Sequence, residues 1–514
     1  MNKARSQKEF LDSVTMGRAG VIKITGENKE LINSLEYDSR NVKEGSLYFA
    51  LTGLHTDGHN YIKDAVKNGA KIIVHEKVPD TYIKGIIYIM VKNSRFAMSP
   101  IASSFYGHPS QKLKVIGVTG TEGKSTSTYL IYQLLILLGK KTGFISTVQR
   151  DTGNGIEWNT EHQTTPEATI VHKLLAEMCG NSVEYAVIES SSHGLSKKTN
   201  RLGDVDFYAG VMTNVNHDHL EFHGSWEQYR SDKAELFRGL KSFGIINADD
   251  PSAEYFANAG KTKSFSFSTR GMEADLYVKL SHSTVNGSWY EIYIQPGEKK
   301  VSARDNLPGA FNTGNVLCAI LTVSKLLSIQ IEELAPLIPL LKPVRGRMNR
   351  IVKGQPFEVL VDYAHTPSSF ETVIPPLKER LDAQGGRLIV LFGSAGERDT
   401  EKRPLQGKIA AEYSDIIILT DEDPRGEDPM SILEMIAEGT VVNSKIIKDE
   451  TLFLIPNRPA AIRKAFSLAK KGDTVLLLGK GHENSIIYES GTIEYDEIEE
   501  AEKALAEASY SSQS

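Results

Sequence analysis

The segment most suited to chemistry is Gly117-Val-Thr-Gly120-Thr-Glu-Gly123-Lys124-Ser125-Thr126. It lies between a β-branched run at residues 114–118 and a stretch, 125–139, with apolar residues at helical spacing. Glycines let backbone N–H groups curl around phosphate, and the helix N-terminus that follows adds its dipole. In that setting Lys124 reaches β- and γ-phosphates, and the Ser125 hydroxyl binds Mg²⁺. The spacing differs by one from the ordinary Walker pattern, whose leading glycine would fall at Val118 where this chain has Gly117. The alternative is a Gly-rich turn that binds nothing. Gly-Lys-Ser at a helix start after a buried strand is demanding, and it favours phosphate.

Two further segments carry reactive side chains: Glu189-Ser-Ser-Ser192-His193-Gly194-Leu195, and Thr213-Asn214-Val-Asn-His-Asp218-His219-Leu-Glu-Phe-His223-Gly224. Three histidines in the second raise zinc, but no cysteine and no zinc-ligand spacing accompany them. Hard oxygen ligands such as Glu189 and Ser125 suit Mg²⁺ instead. Phosphoryl transfer needs no protein nucleophile, so no Ser/His/Asp or Cys/His triad is expected.

These residues sit at the ends of short apolar runs, at 114–118, 185–188, 206–212, 358–361, 388–392, 416–419 and 474–478, alternating with helical stretches. Near-continuous apolar strands of this kind predict an α/β chain with parallel sheets covered on both faces. Glu189, Asn214, Asp362, Ser394, Asp421 and Lys480 close the runs, at the carboxyl ends where open α/β sheets bind ligands. Breaks at His108-Pro109-Ser110 and near 342–347 divide the 514 residues into three domains, 1–111, 112–343 and 344–514. The tail from Glu499 reads as an acidic, Ala-rich surface helix.

A net charge of −6 argues against nucleic acid and anionic membranes as partners. Cys179 and Cys318 fit no redox or metal spacing and read as inert thiols. With no visible signal peptide and no run of about 20 apolar residues, the expectation is a cytoplasmic protein without membrane insertion.

The variant phosphate loop resembles that of the Mur ligases and their relative folylpolyglutamate synthase, which read Gly-Thr-Asn-Gly-Lys-Ser/Thr; here Glu122 replaces the Asn. The resemblance runs from about Asp38 to about Glu500 and is strongest to the branch that adds the third residue of the peptidoglycan stem. It implies a UDP-binding N-terminal domain, a central ATPase sheet and a Rossmann-like C-terminal domain. It also implies an ATP- and Mg²⁺-dependent ligase, with UDP-N-acetylmuramoyl-dipeptide and a diamino acid as partners, acting as a monomer through an acyl phosphate.

Carried over by motif, Gly120, Thr121, Gly123, Lys124, Ser125 and Thr126 hold ATP, joined by Asn312 near adenine, Arg347 near ribose, and Asp362 in the Asp362-Tyr-Ala-His-Thr-Pro turn. Read without the resemblance, Asn312 is equally a helix cap and Asp362 a strand-end turn residue. Mg²⁺ falls to Ser125, Glu189, His219 and Lys233, the last aligned with a lysine carbamylated by CO₂. Lys124, Glu189, His219 and Lys233 are the implied catalytic set. Ser39 and His55 would meet the uridine diphosphate, and Thr164, Thr165, Ser191 and Arg201 the muramoyl substrate. Arg398, Gly479 and Glu483 map to residues gripping the incoming amino acid.

One motif departs: the family's Asp-Asn-Pro-Arg is Glu422-Asp423-Pro424-Arg425 here. Arg425 fits the distal carboxylate of meso-diaminopimelate. A negative charge at Asp423 would repel that carboxylate and tips the expectation toward lysine or ornithine. The implied alternatives are another Mur-type ligase, folylpolyglutamate synthase, or a nucleotide-binding relative that has lost catalysis.

Overall fold

The computed structural model describes residues 19–27, 32–53, 56–79, 81–159, 163–216, 220–284, 287–297 and 299–508. The chain forms two compact units. One comprises 1–280, 290–303 and 313–338; the other comprises 281–289, 304–312 and 339–514.

The first unit holds two sheets. A five-stranded sheet runs in the order Val21–Thr25, Ile87–Val91, Ala70–His75, Ser46–Phe49, Ser34–Glu36. The helix Ser94–Phe105, capped by Asn93 accepting from Phe96 N, lays Ala97, Met98 and Ile101 on Phe49, Ile72 and Ile89. The body of the larger sheet is parallel, in the order Phe243–Asn247, Phe207–Met212, Lys114–Thr119, Tyr185–Glu189, Thr142–Ile145. Its register sets Glu189 opposite Val118 and Met212 opposite Thr119. Three adjacent strands therefore end level with one another, and the phosphate loop, the Glu189 segment and Thr213-Asn214 leave from a single edge.

The second unit is built on a six-stranded sheet, ordered Asn349–Ile351, Glu358–Asp362, Thr474–Leu478, Leu388–Phe392, Ile416–Leu419, Leu452–Leu454. Leu360, Val390, Phe392, Leu419 and Leu476 pack on one face, and Val359, Val361, Ile389, Ile418 and Leu477 on the other. Side chains alternate along a strand, so burying both faces demands an unbroken apolar run.

Strands and helices fall where the apolar pattern places them, including Lys124–Leu137 after the phosphate loop. The sheets are nonetheless mixed. Val21–Thr25 pairs antiparallel with Ile87–Val91, Asn349–Ile351 with Glu358–Asp362, and Gln149–Asp151 with both Thr142–Ile145 and Ile156–Trp158. The connections from 145 to 149 and from 151 to 156 are too short for a crossover helix, so only antiparallel pairing can follow. The acidic tail helix, Glu497–Glu507, also corrects a reading: it is not merely superficial. Ala501, Ala504 and Leu505 enter the core, and Glu497 is fully buried against Arg458. Among the described residues no single helix is long and apolar enough to cross a membrane.

Candidate active site

In the first unit, the phosphate loop is held from behind. Asn214 Oδ1 accepts from Thr121 N and Glu122 N, while Thr213 Oγ1 and Asn214 Nδ2 donate to Glu122 O. This clamp grips the backbone of Glu122 and leaves its half-buried carboxylate without a hydrogen bond to a described residue. Gly123 has φ +78°, and a Cβ there would stand 2.6 Å from Asn315 Oδ1, so this turn requires glycine. Lys124 Nζ donates to Thr121 O at 2.8 Å.

Ser125 Oγ donates to Glu189 Oε1 at 2.9 Å, and Thr147 N donates to Glu189 Oε2 at 2.8 Å. Both Ser125 and Glu189 are buried, one at a helix start and one at a strand end. A hydroxyl beside a carboxylate next to a phosphate loop is a hard-oxygen donor pair, which fits Mg²⁺. The third predicted ligand, His219, lies outside the described residues, as does His55. Lys233, 1% exposed, donates to Gly120 O at 2.5 Å and lies 4.5 Å above the Tyr229 ring. The helix Trp226–Arg238, capped by Ser225, thus delivers its lysine to the loop.

Beside this pair lies a cavity of about 300 Å³ whose walls include Lys124, Thr164, Ser191, Ser192, Arg201 and Lys233. Its upper wall is tied to the sheet by Thr165. That hydroxyl donates to Glu189 O and accepts from Ser191 N, with Ser191 Oγ at 2.9 Å. The predicted substrate residue Thr165 is therefore engaged internally, and Thr164 is the threonine on the cavity. Arg201 donates to Thr165 O and to Glu167 Oε1, both at 3.0 Å, and Arg95 reaches the same carboxylate oxygen. The half-buried Ser39 accepts through its carbonyl from Asn68 Nδ2, beside the Asp38–Arg40 ion pair.

A side-chain chain absent from the sequence reading also ends on this cavity. Asp232 Oδ2 lies 2.7 Å from His223 Nδ1, and His223 Nε2 lies 3.1 Å from Ser192 Oγ. All three residues are buried. Burial opposes the charge of Asp232, but hydrogen bonds from His223, Gln228 and Ser196 outweigh it and hold the carboxyl below its ordinary range.

In the second unit, the strand ends gather Asp421, Glu422, Asp423, Gly479, Lys480 and Glu483. Lys480, fully buried, donates to Asp423 Oδ1 at 2.9 Å and Glu483 Oε2 at 2.6 Å. Ile487 N also donates to Asp423 Oδ1. Asp423 is thus neutralised, and the free negative charge expected there is absent. The unpaired carboxylate is its neighbour. Glu422 Oε2 is buried with no hydrogen-bond partner among the described residues, 3.2 Å from where a Cβ on Gly479 would stand. Burial pushes the Glu422 carboxyl up to about 7, with Glu483 adding to the rise and Lys402 and Lys480 opposing it.

Arg425 makes no side-chain hydrogen bond or ion pair to a described residue, and its buried Nε is unpartnered. Arg398 is exposed on the loop after Leu388–Phe392. The Arg347 guanidinium stacks 4.6 Å over Tyr363, which the His365 and His482 rings flank. Asp362 accepts from Met348 N and Ala364 N, pinning the turn that presents Arg347. Asn312 opens the helix Asn312–Leu327, its Nδ2 donating to Pro308 O.

Residues 31–106 match the Mur ligase family, catalytic domain; 118–323 match the Mur ligase middle domain; and 346–481 match the Mur ligase, glutamate ligase domain. A UDP-N-acetylmuramyl-tripeptide synthetase of Treponema denticola is 48% identical over 94% of this chain and 96% of its own. A UDP-N-acetylmuramoyl-L-alanyl-D-glutamate–2,6-diaminopimelate ligase of Clostridium tetani is 36% identical over 93% and 95%. A solved structure of a ligase with that same name superposes with a TM-score of 0.64 at 26% identity, covering 99% of this chain and all of the other. With a hard-oxygen pair beside a phosphate loop in one unit and a buried charge cluster at the strand ends of the other, and with relatives alike along almost the whole length, the chain belongs to the Mur ligase family.

Proposed function

We propose that this ligase adds a diamino acid to the D-glutamyl carboxylate of UDP-N-acetylmuramoyl-L-alanyl-D-glutamate, driven by ATP, during peptidoglycan synthesis. The observation that carries the reading is the Ser125–Glu189 pair, 2.9 Å apart, with Ser125 following Lys124 at the start of the helix behind the phosphate loop. The three matched segments, 31–106, 118–323 and 346–481, support domains at 1–111, 112–343 and 344–514 for the UDP-sugar, the nucleotide and the amino acid. A cytoplasmic, monomeric enzyme is part of the same reading.

Gly120, Thr121, Gly123, Ser125 and Thr126 cradle the phosphates, with Lys124 countering the charge that spreads over the transferred phosphoryl group. Ser125, Glu189, His219 and Lys233 would hold Mg²⁺, Lys233 as a carbamate, and the ion would supply charge neutralisation during phosphoryl transfer. Asn312, Arg347 and Asp362 belong to the nucleotide's outer wall. Ser39 and His55 meet the uridine diphosphate, while Thr164, Ser191 and Arg201 line the muramoyl cavity and Thr165 secures it.

In the second unit, Arg398, Gly479 and Glu483 receive the amino acid. Arg425 grips a carboxylate, and Glu422 takes the side-chain ammonium, for which it is the unpaired buried acceptor. Asp423 acts through Lys480. The surplus of carboxylates around Glu422 favours lysine or ornithine over diaminopimelate, whose second carboxylate would enter an acidic wall. Incubating the enzyme with ATP, the UDP-dipeptide and each of the three amino acids tests this. ADP release without the UDP-dipeptide at the same rate as with it would sink the ligase reading, and a clear preference for meso-diaminopimelate would sink the specificity.

A further inference from the structure

Acyl transfer to an amine needs a place for the amine's proton, and the ligase roles assigned above leave that place empty. The cavity wall offers one. Ser192 Oγ, His223 Nε2, His223 Nδ1 and Asp232 Oδ2 form a continuous line, with gaps of 3.1 and 2.7 Å, from a buried helix to a wall residue of the cavity that Lys124 and Lys233 share. The neighbouring Ser191 is not equivalent: its hydroxyl is committed to Thr165 Oγ1 and Gly194 N.

We propose that Ser192, His223 and Asp232 are a proton relay that deprotonates the incoming ammonium for attack on the acyl phosphate. The inference rests on the ligase reading and assigns the step that reading leaves without a base. Asp232 Oδ2, 2.7 Å from His223 Nδ1, takes the Nδ1 proton in a hydrogen bond, so that Nε2 accepts from Ser192. As the ammonium gives a proton to Ser192 Oγ, the serine hydroxyl proton passes to His223 Nε2, and the imidazolium forms opposite Asp232. The freed nitrogen lone pair makes the C–N bond, the acyl C–O bond breaks with its pair leaving on phosphate, and phosphate takes the second nitrogen proton. His223 returns its proton to solvent once product departs.

The groups facing His223 fit this use. Asp232 supplies the counter-charge. Tyr229 and His193 meet the ring edge-on at 5.1 and 5.3 Å, Phe222 packs at 4.7 Å, and Lys198 is directed to the Phe222 carbonyl. Gln228 holds the second Asp232 oxygen at 2.9 Å.

The test separates the two half-reactions in the full-length enzyme. Hydroxylamine, a weakly basic nucleophile that is already neutral, replaces the amino acid and traps the acyl phosphate as a hydroxamate. Ser192→Ala, His223→Gln and Asp232→Asn are compared with wild type. Ligation of the diamino acid is expected to fall by about 10²-fold or more in kcat, the usual scale of acid–base catalysis, with hydroxamate formation retained. Ser192→Ala and Asp232→Asn change little volume and carry the test if His223→Gln does not fold. Parallel loss of both reactions would make the line structural, and full ligation in Ser192→Ala would remove it from the mechanism; either overturns the relay. Absence of hydroxamate from wild type would instead overturn the ligase reading, and the relay with it.

Discussion

Replacing Glu422 by Gln should make the protein more stable and less able to bind its amino acid. Glu422 is 7% exposed, and burial raises its carboxyl from 4.5 to about 7. At about 1.36 kcal/mol per pH unit, the ionised form is disfavoured by about 3 kcal/mol in the fold. The sign follows from proton counts. Between pH 4.5 and about 7 the folded chain keeps a proton that the unfolded chain has released, so stability falls as pH rises through that window and stays low above it. Glutamine carries no such loss. The stability of Glu422→Gln relative to wild type should therefore grow by about 2–3 kcal/mol from pH 5 to pH 9, read from denaturant midpoints without ligands. Over the same change, the amino-acid KM should rise by roughly 10–100-fold through loss of a charge-assisted hydrogen bond of about 1.5–3 kcal/mol, with the UDP-dipeptide KM unchanged. A variant less stable than wild type at pH 9 would show that Glu422 is a satisfied structural charge, and an unchanged amino-acid KM would show that it meets no ammonium.

Lys233→Ala should abolish ligation with the fold intact, and short carboxylic acids should partly restore it. ¹³C-bicarbonate NMR of wild type should show a carbamate signal that Lys233→Ala lacks. Replacing Lys124 by Ala or Glu189 by Gln should lower kcat with UDP-dipeptide binding nearly retained; collapse of that binding in a titration would reassign both to docking. Arg458→Met should destabilise the protein by about 3–5 kcal/mol in denaturant melts, because it strands the buried Glu497 carboxylate and the carbonyls of Asp421 and Leu478.

The fold's frame was legible because it rests on local signals. Apolar runs buried on both faces, as at Leu388–Phe392 and Thr474–Leu478, cannot be mistaken for half-buried strands. Gly123-Lys124-Ser125 after such a run marks the loop without reference to anything distant. Pairings across the chain were not legible. Nothing near Asp423 announces that Lys480, 57 positions later, neutralises it. The buried carboxylate oxygen left without a partner among the described residues lies one residue earlier, on Glu422. His223 joins Ser192 across 31 positions and Asp232 across 9, from three separate elements. An acid nine positions on, in the middle of the next helix, gives no pattern to read. Thr165 was legible as a site residue by motif, but its use as a tie to Glu189 O depends on where the loop lands.

Two buried arginines of the second unit are offset by an acidic partner and by backbone carbonyls. Arg458 is fully buried with a bidentate Glu497 and two carbonyls, and Arg403, equally buried, holds Glu427 and Ala395 O. Such charges are offset where they stand, and they fix the loops that follow Ile416–Leu419 and Leu388–Phe392. Glu422 and Arg425 lie between these anchors, buried or half-buried, with polar atoms that find no partner. A folded chain normally satisfies its buried polar groups, and in the proposed reading the amino acid supplies the partners of these two. An anion acceptor and a cation a few residues apart match the ammonium and carboxylate of an amino acid.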